Sequence, residues 1–159
     1  MATLADDIRI EIGSADKIDA VMKVMHSAFG ESFGEAWTRS QLSGILPMAG
    51  VALTLALDRA SNDVVGFSLV RTVFDESELL LVAVLPAIQR RGVGRALLDH
   101  FLASGREVGV ARVHLEVRDG NPAIVMYRAA GFAPVGRRRN YYHAPNGNRY
   151  DAITLACPL

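Results

Sequence analysis

The chain has 159 residues, half of them hydrophobic and 21% charged, so it can bury a core and is too apolar for a disordered polymer. Seventeen Lys/Arg balance seventeen Asp/Glu, which argues against a nucleic-acid binder held by bulk positive charge. The lone cysteine, Cys157, excludes an internal disulfide and a multi-cysteine zinc site.

The longest apolar run, residues 79–88, contains Pro86 and is half the length a bilayer crossing needs. The opening stretch, residues 1–7, lacks the basic flank and apolar segment of a leader. The expectation is therefore one cytoplasmic domain over residues 1–159, with no membrane partner. The zero net charge hides an asymmetry. Residues 1–79 hold six Lys/Arg against twelve Asp/Glu, whereas residues 80–159 hold eleven Arg, no Lys and five Asp/Glu. Arginine without lysine suits phosphate oxygens, because the guanidinium fork matches them.

Ile8, Ile10 and Ile12 alternate with polar residues and predict a first strand. Ile18, Val21, Met22, Met25 and Phe29 recur at helical spacing after Ser14, a candidate N-cap. A loop over residues 30–37 follows, and Thr38-x-x-Gln41 has the capping-box form that opens a second helix toward Leu46. Residues 51–57 and 64–73 read as strands joined by a hairpin turn over 58–63, and residues 78–84 read as a third. After the loop at residues 89–94 a helix runs to about Glu107, and residues 111–117 form another strand. Asn121-Pro122 predicts an N-cap with proline at the first helical position, and Gly131 marks that helix's end. Residues 133–142 and 149–156 flank Asn146-Gly147, a strong hairpin signal. The order β-α-α-β-β-β-α-β-α-β-β predicts a mixed sheet with helices on its faces.

The most informative segment is Gln89-Arg90-Arg91-Gly92-Val93-Gly94-Arg95, set between a buried strand and an amphipathic helix. Two glycines at i and i+2 let a ligand approach the backbone, and the helix start offers free N–H groups. With flanking arginines these donors make a pyrophosphate cradle. A Walker loop is disfavoured because no lysine follows Lys23, and a dinucleotide fingerprint because position 97 is Leu. Gly-x-Gly alone is better explained by a plain tight turn that uses its glycines for packing. The spacing Gln89-x-x-Gly92-x-Gly94 between strand and helix favours the cradle.

Here the chain resembles the GCN5-related N-acetyltransferases (GNAT), whose acetyl-CoA loop reads Q/R-x-x-G-x-G/A. The resemblance implies an α/β (α+β) fold with a mixed, mostly antiparallel sheet of about seven strands and about four helices. It implies acetyl-CoA as cofactor, with CoA as product. It places the pantetheine arm along Val82, Ala83 and Val84, and the pyrophosphate on Gln89, Arg90, Arg91, Gly92, Val93, Gly94, Arg95 and Ala96.

A second constellation lies in residues 115–127. Val113, Leu115 and Val117 share one strand face and His114, Glu116 and Arg118 the other. A carboxylate in an apolar strand costs free energy unless it is exposed, paired or used. Glu116 is a candidate base for an amine nucleophile. The Tyr127 hydroxyl is a candidate acid for a departing thiolate, and the Val84 N–H a candidate oxyanion donor. The run from Leu115 through Asn121 and Tyr127 to Gly131-Phe132, then Arg138-Arg139-Asn140-Tyr141-Tyr142 and Asp151-Ala152-Ile153, resembles the RimI branch of that family. These are bacterial enzymes that acetylate the N-terminal alanine of a small-subunit ribosomal protein.

That resemblance implies Glu116 as base, Tyr127 as acid at the cofactor, Asn121 as a pantetheine contact, and Tyr141 and Tyr142 near the peptide entrance. In the loop before Trp37-Thr38, Glu31 and Glu35 either attract a cationic N-terminus or are simply solvated. The acceptor implied is a protein N-terminus, in that branch a ribosomal protein's, with no direct nucleic-acid contact. Two alternatives stay open on the residues: an acetyltransferase of small amines, and a CoA-binding module without turnover. His26, His100, His114 and His143 have no ligand spacing, so no metal site is expected. Arg137, Arg138 and Arg139 are consecutive on a strand and do not form one patch.

Overall fold

The computed structural model describes residues 4–159. The first three positions of the stretch read for a leader lie outside the described residues. Among the described residues, seven strands form one sheet in the order β1-β2-β3-β4-β5-β7-β6. β1 (Ile8–Ile12), β2 (Val51–Asp58), β3 (Val64–Val73) and β4 (Glu76–Val84) pair antiparallel in succession. β5 (Arg112–Arg118) lies parallel to β4, and β7 (Arg149–Pro158) and then β6 (Ala133–His143) extend the sheet antiparallel. The helices are α1 (Ile18–Phe29), α2 (Arg39–Ile45), α3 (Val93–Glu107) and α4 (Ala123–Ala129). This is the mixed sheet with four helices that the element order predicts, and the mostly antiparallel pairing that the resemblance implies.

Local chemistry explains most boundaries. Thr38 and Gln41 form both halves of the capping box, at 3.2 and 2.8 Å. In the β2–β3 turn the Asp58 carboxylate accepts from the N–H groups of Ala60 and Ser61. Two cap expectations shift. The Ser14 hydroxyl turns to Asp16, so a 3-10 turn precedes α1 and the helix proper starts at Ile18. Pro122 occupies the cap of α4, while the Asn121 side chain still accepts the Ala123 N–H at 2.9 Å.

Two apolar layers sandwich the sheet. On one face Val21, Met25 and Leu42 of α1 and α2 meet Leu55, Phe67, Leu69 and Leu81. On the other, Leu98 and Phe101 of α3 meet Val113, Leu115, Val117 and Leu155, with Tyr127 and Phe132 from the α4 region. Burying each such side chain contributes about 1.5–3 kcal/mol before entropy is subtracted. Because that second layer takes Val113, Leu115 and Val117, the remaining β5 side chains, Arg112, His114, Glu116 and Arg118, lie on the opposite side.

The feature that positions the site is a break between β4 and β5. They pair only from Glu76↔Arg112 to Leu79↔Leu115, and beyond that point they part. Leu69 pairs with Leu81 but Val70 with Leu79, so Leu80 is an extra residue in β4. Such a bulge bends its strand and re-aims the side chains that follow. Leu79 accordingly packs with the α3 layer and Leu81 with the α1 layer.

Candidate active site

The antiparallel ladder settles where the end of β4 presents its backbone. Leu85 donates to the Val65 carbonyl at 2.9 Å, and Gly66 stands opposite Val84. Gly66 and Val84 are therefore a non-hydrogen-bonded pair, and so, two residues back, are Ser68 and Val82. The amides and carbonyls of Val82 and Val84 thus face away from β3, into the gap where β5 has departed. Gln89 closes this end: its side-chain amide donates to the Val84 carbonyl at 2.9 Å.

Gly92 caps α3 with φ +90°, a left-handed conformation that glycine adopts without penalty, and a Cβ there would meet only open space. The first helical closure is Ala96 N–H to the Gly92 carbonyl, leaving the N–H groups of Val93, Gly94 and Arg95 as the orphan donors of the helix start. A cavity of about 580 Å3 lies over them. Val82, Ala83, Val84, Gln89, Arg90, Gly92, Gly94, Arg95 and Asn121 line it. Arg91 is exposed outside it, Ala96 is half-buried outside it, and the Val93 side chain is buried in the core. Arg95 is paired with Asp99 one turn on, at 2.9 Å. Acetyl-CoA, which the resemblance implies, fits this arrangement: a diphosphate suits the helix start, and the amides of a thin pantetheine arm suit an open strand edge.

An adjoining cavity of about 130 Å3 occupies the break itself. Its walls include Leu79 to Val82 of β4, Glu116 of β5, Tyr127 of α4, and Tyr141 and Tyr142 of β6. The Glu116 side chain is only 10% exposed, and both of its oxygens are engaged. Oε1 lies 3.0 Å from Arg138 Nε, and Oε2 accepts from the Thr154 hydroxyl at 2.7 Å. The carboxylate in the apolar strand is thus paired, one of the three conditions expected of it. Burial, with Glu35 nearby, pushes the Tyr127 phenol well above its ordinary pKa, so it holds its proton at neutral pH. Tyr142 is raised too, chiefly by burial, and its hydroxyl donates to the Glu116 carbonyl at 3.4 Å. Tyr141, more exposed, packs edge-on against it at 5.0 Å.

Glu35 stands between the two cavities and lines both. It is not simply solvated, the second of the two readings above, and it already has a cation beside it. Its carboxylate is 3.4 Å from Arg118 Nε and accepts from the Asn121 amide at 3.1 Å, and the side chains of the ion pair are only 11% and 10% exposed. The Arg118 guanidinium stacks 3.6 Å above the Phe33 ring. This clamp pins the loop over residues 30–37 to the end of β5. Glu31 is exposed and lines neither cavity.

The arginine run divides as strand alternation requires. Arg138 joins Glu116, whereas Arg137 reaches Asp119 and Asp151 at 2.7 and 2.9 Å. Arg138, Thr154 and Arg118 as a counter-ion were not identified from sequence; the only signal was the demand that Glu116 be paired. Among the described residues no group of acidic, histidine or cysteine side chains could hold a metal ion.

The chain matches the acetyltransferase (GNAT) family over residues 18–132. It is 40% identical over 99 residues to the ribosomal protein bS18-alanine N-acetyltransferase of Haemophilus influenzae, covering 62% of this chain and 68% of that protein. With the enzyme of the same description from Escherichia coli it shares 45% over 94 residues, 58% of this chain and 63% of the relative. The solved structure of the Escherichia coli ribosomal-protein-S18-alanine N-acetyltransferase superposes with a TM-score of 0.85 at 30% identity, over 95% of this chain and 93% of that one. Arabidopsis thaliana NAA60 in complex with acetyl-CoA shares the fold, with a TM-score of 0.78 at 17% identity over 96% and 98%. Carrying the cradle, the parted strands and these relatives, the chain belongs to the GNAT family of acetyltransferases.

Proposed function

We propose that this chain is an acetyl-CoA-dependent Nα-acetyltransferase acting on a protein N-terminus that begins with alanine, the ribosomal protein bS18 being the acceptor its relatives suggest. The whole chain acts as one domain and transfers directly within a ternary complex. The carrying observation is the parted β4–β5 pair, with open backbone and a phosphate cradle on one side and a buried carboxylate on the other. The relatives' substrate supports the choice of acceptor. A ribosomal acceptor supports a cytoplasmic site of action, and no helix among the described residues is long and apolar enough to cross a membrane.

When bound, acetyl-CoA supplies an acyl thioester. The Val84 N–H, facing the gap, would donate to the thioester oxygen as it gains negative charge. Glu116 takes a proton from the acceptor amine, directly or through a water. A peptide α-amine, with a pKa of about 7.7–8.0, yields that proton more readily than a lysine at about 10.4. The Tyr127 hydroxyl would donate to the thioester sulfur and supply the proton that leaves with CoA; burial holds that proton on the phenol until then. Arg118 and Glu35 hold the loop that closes both cavities.

Incubating the protein with acetyl-CoA and a panel of N-terminal hexapeptides, read by mass spectrometry, tests this. Alanine-first peptides are expected to dominate. Preferential consumption of polyamines would transfer the activity to small amines, and acetyl-CoA binding without any transfer would make the chain a binding module.

A further inference from the structure

We propose that Arg138 is the resting counter-ion of Glu116, displaced by the acceptor's own ammonium group, and that it thereby selects cationic amines as acceptors. This rests on the reading of Glu116 as the base. A carboxylate as buried as Glu116 is costly to leave uncompensated, and a nearby cation offsets part of that cost when no acceptor is bound. Arg118, on the same strand face, is committed to Glu35 and stacked on Phe33. Arg138, 3.0 Å from Oε1, is the partner that remains.

The two partners of Glu116 are built differently. Thr154 sits on β7, an interior strand flanked by β5 and β6. Arg138 sits on the edge strand β6, with its side chain 63% exposed. Immediately after it the β6–β7 ladder breaks: Arg138 opposes Ala152 and Tyr142 opposes Tyr150, so residues 139–141 face Asp151 alone. The Arg138 guanidinium also lies 5.7 Å from the Tyr141 ring centroid, a π-face that offers it a second resting place. Hence Thr154 stays and Arg138 yields.

Two cations cannot share Oε1 without repulsion. An arriving ammonium replaces the guanidinium charge for charge, whereas a neutral nucleophile such as water brings nothing to offset the loss. The pair thus keeps the base occupied until the right acceptor comes. Because the arginine is largely exposed, the pair is weak and the barrier to displacement small.

The test uses the full chain with saturating acetyl-CoA at low salt. Arg138→Ala should lower KM for an alanine-first hexapeptide about three- to fivefold, with a smaller change in kcat and unchanged acetyl-CoA affinity. Guanidinium chloride at tens of millimolar, matched against sodium chloride, should raise the KM of that variant back toward wild type. Arg138→Lys should keep the wild-type KM. An unchanged or higher KM in Arg138→Ala, or a guanidinium effect no greater than that of sodium, overturns the proposal. Full activity of Glu116→Gln would remove the reading beneath it. With Glu116→Gln impaired, the KM results decide Arg138 alone.

Discussion

The two ends of the cleft are built by different means. The cofactor end is organised by residues 82–96, with Glu35 and Asn121 at its border, and works mainly through backbone: the edge of β4, the Gln89 tie to Val84 and the open start of α3. The acceptor end draws on the loop over residues 30–37, β5, α4 and the β6–β7 hairpin, and works through side chains joined as ion pairs. A backbone site tolerates most changes of side chain and is sensitive to conformation. A side-chain site is the reverse, because each partner removed leaves another group buried without compensation.

The largest effect should come from the acceptor end. Glu116→Gln keeps the shape and removes the base, and kcat should fall about 10²–10⁴-fold. Acetyl-CoA affinity, measured by calorimetry, should stay put; a parallel loss of affinity would dissolve the division between the ends. Glu35→Ala strands Arg118 in a site where it is 11% exposed. Breaking such a buried pair costs about 3 kcal/mol of stability, readable in urea unfolding. Adding Arg118→Met should recover part of that loss, and equal costs for single and double variants would show that the stranded guanidinium is not its source.

At the cofactor end the sensitive position is conformational. Gly92→Ala meets no neighbour but forces a side chain into the left-handed region, at about 1–2 kcal/mol. Acetyl-CoA affinity should weaken by roughly tenfold, in proportion to that strain, while peptide KM changes little.

The smallest effect concerns the bulge in β6. The Asn140 N–H and then Arg137 hold the Asp151 carboxyl below its usual pKa. Its folded pKa is lowered, so the contribution to stability is complete above the unfolded value near 3.9. That contribution disappears as pH falls through the folded value. Asp151→Asn should therefore melt lower than wild type at pH 7 and converge with it in acid. A constant difference across pH would remove the carboxylate from the account.

The same contrast explains what the sequence disclosed. Residues 89–95 are legible because a phosphate cradle needs its glycines and its helix start within one turn of chain. The capping box at Thr38 and Gln41 is legible for the same reason. Glu116 attracted notice because a carboxylate among Leu115 and Val117 demands an explanation, but its partners Arg138 and Thr154 lie on other strands. Glu35 and Arg118 are 83 positions apart in the chain, so nothing local distinguishes this buried ion pair from two solvated charges. Strand alternation did foretell that the arginine run divides, with Arg137 and Arg138 going to different carboxylates. The break after Leu79 was illegible because it depends on the bulge at Leu80, inside an unbroken apolar run.

That break gives the sheet an edge in its middle. Unpaired strand edges normally lie at a protein's rim, where they invite other chains and have to be blunted. This one is recessed: Leu79↔Leu115 closes the far end, and β3 on one side and β7 on the other hold its two strands. Only the ends of the two strands beyond Leu79 and Leu115 are free, so the edge offers a few backbone groups and not a full ladder. That suits the sparse amides of an acyl carrier's arm better than a strand, which needs a long run of partners.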